Sequence, residues 1–352
     1  MTAPSKRGRR IAGWRLWLSL GVTVVALAWT VRDVDGRDLL RAMSGANPWI
    51  IAVILPLHIL ALWLRAARWR YLTDAIAPAR LPSGALFRAT AVGYLALNVL
   101  PLRIGEVVRP WFLARETGVR APAALGTVVV ERALDFMTVA AIGGFVLFFH
   151  TQTLPMWVQT GATLLAGLGL VPLLLALGFH MDEARATRWT TRALSVLPAR
   201  THERAMDLLT EVARGLRSLR GGRVGLLVLF QSFLLWGVLF PVTFALGLAA
   251  FELDLTPAEA TLASYTALVF TALAVAAPAA PGFFGVYHFA CREALALFKV
   301  PPAIAVGYGT VLHLAFWVPV TLVGLVVLAR SGVSLGDLSS SPLGKAGSRH
   351  HR

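Results

Sequence analysis

Long apolar runs dominate the pattern of hydrophobic and polar positions along the chain. A membrane-spanning helix needs about 20 mainly apolar residues, because each residue rises about 1.5 Å through a hydrocarbon core of about 30 Å. Six runs approach or exceed that length: Trp14 to Val31, Pro48 to Leu64, Ala124 to Phe149, Met156 to Phe179, Val224 to Ala250 and Ala303 to Ala329. The pattern predicts an all-α polytopic membrane protein with about six full spans.

Two shorter apolar stretches are interrupted by helix-breaking residues. Ala85 to Leu100 and Thr261 to Pro278 are each followed within a few residues by proline and glycine. Each stretch has to begin and end on one side of the membrane, so we expect two re-entrant helical hairpins that enter from opposite faces. The predicted tips are Pro101 and Gly105 in the first hairpin and Pro281, Gly282 and Gly285 in the second.

The two hairpins align at an offset of 180 residues. Pro101 then falls on Pro281 and Gly105 on Gly285. With the opposite orientations, this match indicates an inverted repeat, with repeat one at about 48–149 and repeat two at about 224–329. Broken helices that meet near the midplane of an inverted repeat form the substrate site of many transporters. The alternative is that proline, glycine and alanine are simply common in membrane segments.

Basic residues predict which side of the membrane each loop faces, since short cytoplasmic loops are enriched in Lys and Arg. Residues 1–13 form a basic cytoplasmic N-terminus, residues 14–330 a single transmembrane domain, and residues 331–352 a cytoplasmic tail that we expect to be disordered. Arginine-rich residues 181–223 are predicted to form amphipathic helices on the cytoplasmic surface. Arg65, Arg68, Arg70 and Arg80, which follow the second run, are assigned to the same side. An alternative for the first run is a cleaved secretory signal, because Ala26-Leu27-Ala28 follows its basic start.

The amino-acid composition also indicates a membrane protein. Of the 352 residues, 57% are hydrophobic and 14% are charged, whereas a soluble domain carries about 25% charged residues. The net charge of +15 lies mainly in the predicted cytoplasmic segments, so it is expected to face anionic lipid rather than nucleic acid. A single cysteine, Cys291, excludes an intramolecular disulfide and a Cys-based metal site. We expect no metal and no cofactor, and the sequence lacks a Walker phosphate loop.

Three charged residues lie within an otherwise apolar helix, namely Glu131, Arg132 and Asp135. A charge at the centre of a membrane helix costs at least about 2.5–3.5 kcal/mol, so each needs a partner or a polar cavity. The spacing allows Arg132 to pair with Asp135, which leaves Glu131 in need of a cation. Arg103, Arg109 and Arg115 on the preceding hairpin are candidates. Two hypotheses stay open, a structural ion-pair cluster and direct contact with a substrate.

The first hairpin also carries groups suited to phosphate. Arg109 lies three residues after Glu106, and a guanidinium presents a planar fork of donors that matches phosphate oxygens. We therefore expect Arg103, Arg109 and Arg132 to hold a lipid headgroup, balanced by Glu106, Glu131 and Asp135. The alternative for Arg103 is that it extends to the membrane interface. His288 and His313 lack carboxylates or cysteines at ligand spacing, which favours packing or hydrogen bonding over metal binding.

These motifs resemble one known family. The pattern Asn98-x-x-Pro101-x-Arg103-x-Gly105-Glu106-x-x-Arg109, then Glu131-Arg132-x-x-Asp135, then Pro281-Gly282-x-x-Gly285-x-Tyr287 is similar to the lysylphosphatidylglycerol synthase transmembrane region, also called the flippase-like domain family. The likeness runs from about Trp14 to Ala329. Leu102 is a departure, because the family often has Gly there. The resemblance adds Asn98 and Tyr287 to the expected substrate-binding residues.

The resemblance implies a multi-pass protein of a bacterial inner membrane that moves a phospholipid or a lipid-linked precursor between leaflets. The expected partner is an anionic phospholipid or a polyprenyl-linked lipid. Larger relatives carry an aminoacyltransferase domain after the membrane part, but only 23 residues follow Ala329, so we expect no synthase activity and no catalytic residues. The alternatives are an integral-membrane transferase acting on a lipid-linked substrate and a non-transporting membrane scaffold.

Overall fold

The structure is a computed structural model that describes residues 6–339, apart from 75, 78, 102, 150–153, 278 and most of 182–221. Within those ranges the chain forms helices and connecting turns, without strands. The predicted surface helices at 181–223 fall almost entirely outside the described residues, as do residues 1–5 of the basic N-terminus and residues 340–352 of the tail. The all-α prediction is confirmed.

The first half of the described chain contains seven helices. They are α1 (Lys6–Val31), α2 (Gly36–Gly45), α3 (Pro48–Thr73), α4 (Ser83–Val99), α5 (Gly105–Thr117), α6 (Ala121–Phe149) and α7 (Met156–Met181). The second half contains α8 (Gly222–Phe233), a π-helical segment (Leu234–Leu239), α9 (Phe240–Ala250), α10 (Pro257–Ala276), a 3-10 turn (Pro281–Phe283), α11 (Val286–Ala296), α12 (Pro302–Arg330) and the short α13 (Leu335–Ser339).

Five helical segments in the described part are long and apolar enough to cross a membrane: α3, α6, the continuous α8–α9 rod at Gly222–Ala250, α10 and α12. A bent pair at Trp17–Val31 and Gly36–Gly45, with an angle of 86°, brings the number to six. Five or six candidate spans agree with a polytopic membrane protein. The sequence assigned α10 to a re-entrant hairpin, yet its 20 residues are long enough to span on their own. How deep each hairpin enters the membrane stays a prediction.

Local sequence sets the helix boundaries. The Asn47 side chain accepts from the backbone of Trp49 and Ile50 at the start of α3. Thr256 and Glu259 form a reciprocal capping box at the start of α10. These caps satisfy amide groups that helix geometry leaves without an internal partner, which fixes where the long helices begin.

Both predicted tips coincide with helix breaks. In the first hairpin, a Cβ atom at Gly105 would overlap the carbonyl oxygen of Gly93, so the glycine lets α5 lie directly against α4. In the second, Gly282 and Gly285 have positive φ angles of 70° and 84°, a conformation that glycine adopts without steric cost. The two breaks thus need glycine for different reasons, close packing in one and backbone conformation in the other.

The packing of the two halves follows one scheme. From here on, the first half means α3–α6 and the second half means the segment from α8–α9 to α12. Each of these halves consists of a long helix, two shorter helices and a second long helix. Helix α4 packs against α12, its counterpart α10 packs against α6, and α3 packs against α9. Exchanging the halves therefore converts the α4–α12 contact into the α10–α6 contact and maps the α3–α9 contact onto itself. The order fits the predicted repeats, while their opposite orientation in the membrane stays a prediction.

Helix α1 is attached to the second half. Arg292 of α11 donates to the carbonyl oxygens of Trp29 and Thr30 at 2.7 and 2.6 Å, which satisfies the end of α1. The same guanidinium pairs with Asp33 at 3.0 Å. That hydrogen bond lowers the pKa of the exposed Asp33 carboxyl. Helix α1 therefore belongs to the unit that contains the second hairpin.

Candidate functional site

A cluster of charged residues lies where α3, α5 and α6 meet. Arg68 of α3 is fully buried and bridges both acids of α6, at 2.7 Å from Asp135 Oδ1 and 3.1 Å from Glu131 Oε1. It also donates to the hydroxyl of Ser232 in α8 at 2.9 Å. Because the two acids are one helical turn apart, a single guanidinium reaches both of them.

Asp135 is the most connected acid of the cluster. Arg132 lies 2.9 Å from its Oδ2 and Arg65 lies 3.4 Å away. The indole nitrogen of Trp236, in the π-helical segment, donates to Oδ1 at 2.8 Å. The structure thus shows the Arg132–Asp135 pair that the spacing predicted. Through its other partners, Asp135 also links α6 to α3 and to the second half.

Arg109 joins the first hairpin to α6. Its guanidinium lies 3.0 Å from Glu131 Oε2 and 3.9 Å from the ring centroid of Trp69, a distance at which a cation is attracted to the face of an aromatic ring. The residue is 3% exposed. Arg109 is therefore one cation for Glu131, and its geometry matches the structural ion-pair hypothesis for this residue.

The cluster as a whole carries an excess of positive charge. Five guanidiniums (Arg65, Arg68, Arg103, Arg109 and Arg132) contact three carboxylates (Glu106, Glu131 and Asp135), which leaves a net charge of +2. Removing one partner of a buried pair typically costs about 3–5 kcal/mol, because the other charge is left uncompensated. The buried part of the cluster thus holds the helices together, and the surplus charge can accept an anion.

A cavity of about 190 Å³ borders this cluster and lies between the two halves. One part of its surface, called the charged wall below, is formed by Arg65, Arg103, Glu106, Arg132 and Asp135. The remainder, the aromatic wall, consists mainly of apolar and aromatic side chains, with Phe240, Phe244, Phe283, Tyr287, His58, His313 and Phe316 among them. The cavity is therefore amphipathic.

Two guanidiniums of the charged wall are accessible. The side chains of Arg103 and Arg132 are 34% and 21% exposed, whereas Arg65 and Asp135 are buried. Arg103 also donates to the carbonyl oxygen of Val275, at the end of α10, at 2.8 Å. It thereby connects the break of the first hairpin to the break of the second, across the boundary between the halves.

The structure brings five of the eight predicted binding residues to the cavity: Arg103, Glu106, Arg132, Asp135 and Tyr287. The other three, Asn98, Arg109 and Glu131, are not part of its lining. Asn98 donates to the hydroxyl of Thr321 at 2.9 Å and so joins α4 to α12, while Arg109 and Glu131 pair with each other. None of the five predicted tip residues is part of the lining, but their neighbours Arg103 and Phe283 are.

The placement of Arg65 and Arg68 after the end of the second span was wrong, whereas the side of the membrane on which they lie stays a prediction. Helix α3 continues to Thr73, and both arginines are buried within it, at 6% and 0% exposure. A signal was available in the sequence. Arg65, Arg68, Trp69 and Leu72 recur at intervals of three and four residues, which places them along one face of a continuing helix.

The described residues contain no group of three or more His, Cys, Asp or Glu side chains that could hold a metal ion. Cys291 is a buried free thiol. Within those residues the chemistry that the cavity offers is electrostatic attraction, hydrogen bonding and apolar contact.

Two curated relatives are similar to this chain. The protein named Glycosyltransferase AglD from Haloferax volcanii is 27% identical over 332 residues, which cover 86% of this chain and 52% of that protein. A UPF0104 membrane protein from Methanothermobacter thermautotrophicus is 27% identical over 193 residues, 52% of this chain and 56% of that protein. The chain spans about half the length of these relatives. No solved structure matches it.

A sequence profile of one family matches most of the chain. The profile is described as the lysylphosphatidylglycerol synthase TM region and covers residues 16–324, a range that contains the charged wall and both hairpins. The resemblance inferred from the hairpin motifs is thereby confirmed. This chain belongs to the lysylphosphatidylglycerol synthase TM region family.

Proposed function

We propose that this protein moves an anionic phospholipid or a polyprenyl-linked lipid between the leaflets of a bacterial inner membrane, with both of its termini in the cytoplasm. The observation that carries the proposal is the amphipathic cavity, in which accessible guanidiniums face an apolar and aromatic wall. A lipid has the same division, with a charged head and a hydrocarbon body.

Charge favours an anionic head. Arg103 and Arg132 are the exposed cations of the charged wall, and a guanidinium can donate two parallel hydrogen bonds to phosphate. The surplus of two positive charges in the cluster would be reduced by a bound phosphate. A cationic head would meet repulsion there, and a purely neutral one would leave the surplus charge uncompensated.

The contacts between the halves support alternating exposure of the cavity. The bonds from Arg68 to Ser232 and from Trp236 to Asp135 cross the boundary within the buried cluster. The bonds from Arg103 to the Val275 carbonyl and from Asn98 to Thr321 cross it next to the hairpin breaks. In transporters built from repeats, one half rocks against the other around a fixed site. We infer that these bonds break and form again as the cavity opens to one side and then to the other.

The test is a headgroup-exposure assay with purified protein in vesicles. Acyl-labelled phosphatidic acid with an NBD fluorophore is placed in both leaflets, and externally added dithionite bleaches the label that reaches the outer leaflet. We expect the protected fraction to fall in vesicles that contain the protein, and to fall faster for phosphatidic acid than for phosphatidylcholine with the same label. A protected fraction equal to that of protein-free vesicles for both lipids would contradict the proposal.

A further inference from the structure

Two histidines, one from each half of the molecule, line the cavity. His58 belongs to α3 and His313 to α12, and they are 7% and 0% exposed. Among the described residues, neither ring nitrogen of His58 has a hydrogen-bond partner, and Nδ1 of His313 has none. A buried polar atom left unpaired costs about 1–3 kcal/mol. Three such atoms around one cavity therefore point to a partner that enters the cavity from outside the chain.

The hydrogen bond that His313 does make determines what its free nitrogen needs. Nε2 lies 2.7 Å from the carbonyl oxygen of Gly282. A carbonyl oxygen only accepts, so Nε2 carries the proton, and Nδ1 of the neutral ring is an acceptor. An ionised phosphate diester has no proton to offer. The group that satisfies Nδ1 is therefore a donor such as a hydroxyl, and it differs chemically from the group that the arginines attract.

Aromatic rings surround both imidazoles. Tyr287 stacks on His313 with a centroid distance of 4.8 Å and an interplanar angle of 16°, and Phe316 meets His58 edge-on at 5.5 Å. Neutral hydrogen-bonding groups between aromatic faces suit an uncharged ring that bears hydroxyls, because its C–H face packs on the aromatic side chains while its hydroxyls reach the nitrogens. An ammonium group would instead meet the surplus positive charge of the neighbouring cluster.

We propose that His58 and His313 form a subsite for an uncharged polyhydroxylated ring joined to the lipid phosphate, as in a glycosyl or inositol phosphate lipid. The inference rests on the proposed transport of an anionic lipid and names the class of headgroup. Arg103 and Arg132 attract the phosphate, Nδ1 of His313 accepts from one hydroxyl, and His58 donates through one ring nitrogen and accepts through the other.

The test compares two short-chain lipids of equal charge, dioctanoyl phosphatidylinositol and dioctanoyl phosphatidylethanol. Their affinities for the full chain in detergent are measured by titration calorimetry. We expect the wild type to bind the inositol lipid about tenfold more tightly, since each of the three hydrogen bonds to the ring should contribute a net factor of about two to the affinity. In His58→Phe this ratio should fall to about threefold or less, while the affinity for phosphatidylethanol stays unchanged.

Two properties make His58→Phe a favourable variant. It removes no hydrogen bond within the described chain, so the protein is expected to fold and to show an equal or higher Tm, and His58→Leu serves as a second variant if the phenyl ring does not fit. Arg88 is a half-exposed arginine of α4 that is not part of the cavity lining. Arg88→Gln is the control, which should keep the tenfold ratio.

Equal affinities of the wild type for the two lipids would overturn the subsite, since the nitrogens would then be satisfied by water alone. An unchanged ratio in both His58 variants would overturn it as well. The transport proposal can fail independently of the subsite. If the protein moves no lipid in vesicles but the ratio of the two affinities depends on His58, the subsite is supported and the transport proposal is overturned.

Discussion

The two halves of the molecule share one helix order but contribute opposite chemistry to the cavity between them. In α6, Glu131, Arg132 and Asp135 carry charge, whereas the residues 180 positions later in α12 are Val311, Leu312 and Ala315. The first half therefore supplies all of the charged wall, and the second half supplies most of the aromatic wall. A symmetric framework with asymmetric walls gives the cavity a polar side and an apolar side, which a symmetric pair of walls would not provide.

The halves also differ in how their buried polar groups are satisfied. In the first half, buried guanidiniums and carboxylates pair with one another. In the second half, neutral side chains bond to backbone carbonyls, as Tyr308 does to Phe244 at 3.0 Å and Tyr265 does to Gly237 at 2.7 Å. Because an unpaired buried charge costs more than an unpaired neutral group, mutations in the two halves should differ in severity.

The largest expected effect is that of Arg68→Leu. The change removes the one fully buried guanidinium that bridges Glu131 and Asp135, and leaves the acids to the less buried Arg132 and to Arg65 and Arg109. We therefore expect the free energy of unfolding to fall by about 3–5 kcal/mol. Thermal unfolding in detergent, followed by near-UV circular dichroism, measures the loss. A Tm within a few degrees of the wild type would show that the remaining arginines compensate, and the proposed division between charged and neutral halves would lose its energetic basis.

Gly105→Ala should come next. Its Cβ atom would overlap the backbone of Gly93 and force α4 and α5 apart, at an expected cost of about 1–3 kcal/mol. Gly144→Ala in α6 is the matched control, because nothing lies within 4 Å of the added atom. The same unfolding measurement distinguishes them, and equal stability of the two variants would contradict the close approach of the first hairpin.

A smaller effect is expected for Tyr308→Phe in the second half. The variant loses one neutral hydrogen bond between α12 and α9, so the expected destabilisation is about 1 kcal/mol, with somewhat more if the Phe244 carbonyl stays unpaired. The difference between the stability losses of Tyr308→Phe and Arg68→Leu measures the contrast between the halves directly. If Tyr308→Phe lowered the free energy of unfolding as much as Arg68→Leu does, the two halves would not differ in this respect.

The smallest effect is expected for Arg88→Gln. Arg88 pairs with Glu116 at 2.8 Å, and the arginine side chain is 47% exposed, so the pair contributes about 0.2–1 kcal/mol at most. Its contribution should decrease further when the salt concentration rises. An effect comparable to that of Arg68→Leu would show that charge removal alone, rather than burial, determines the cost.

Much of the fold follows from local sequence. The length of apolar runs predicts the spans, and proline with glycine predicts the breaks after α4 and α10. Asp135 and Arg132 are three residues apart, so their pairing could be predicted from helix geometry alone. The partners of Arg68 could not, because they lie 63 and 67 positions away and depend on how α3 packs against α6.

Two interpretations of the sequence depended on contacts that only the folded chain shows. Counting apolar residues ends a span at its first charge, so Arg65 and Arg68 were assigned to a loop although α3 continues past them. Conversely, the spacing of Glu106 and Arg109 suggested that both face a ligand, whereas Arg109 turns to Glu131 and Trp69. In both cases tertiary contacts decide which charges are buried partners and which face the cavity.

The most direct test of the central claim is the rate of lipid movement when the charged wall loses its accessible cations. The labelled phosphatidic acid assay is run with Arg103→Gln and with Arg132→Gln, and Arg88→Gln is the control because it removes an arginine of α4 that is not part of the cavity lining. We predict a rate at least about tenfold lower for both cavity variants, because each loses a charge-assisted phosphate contact worth about 1.5–3 kcal/mol, and an unchanged rate for the control. Wild-type rates in both cavity variants, with correct folding, would contradict the claim that this wall binds the headgroup.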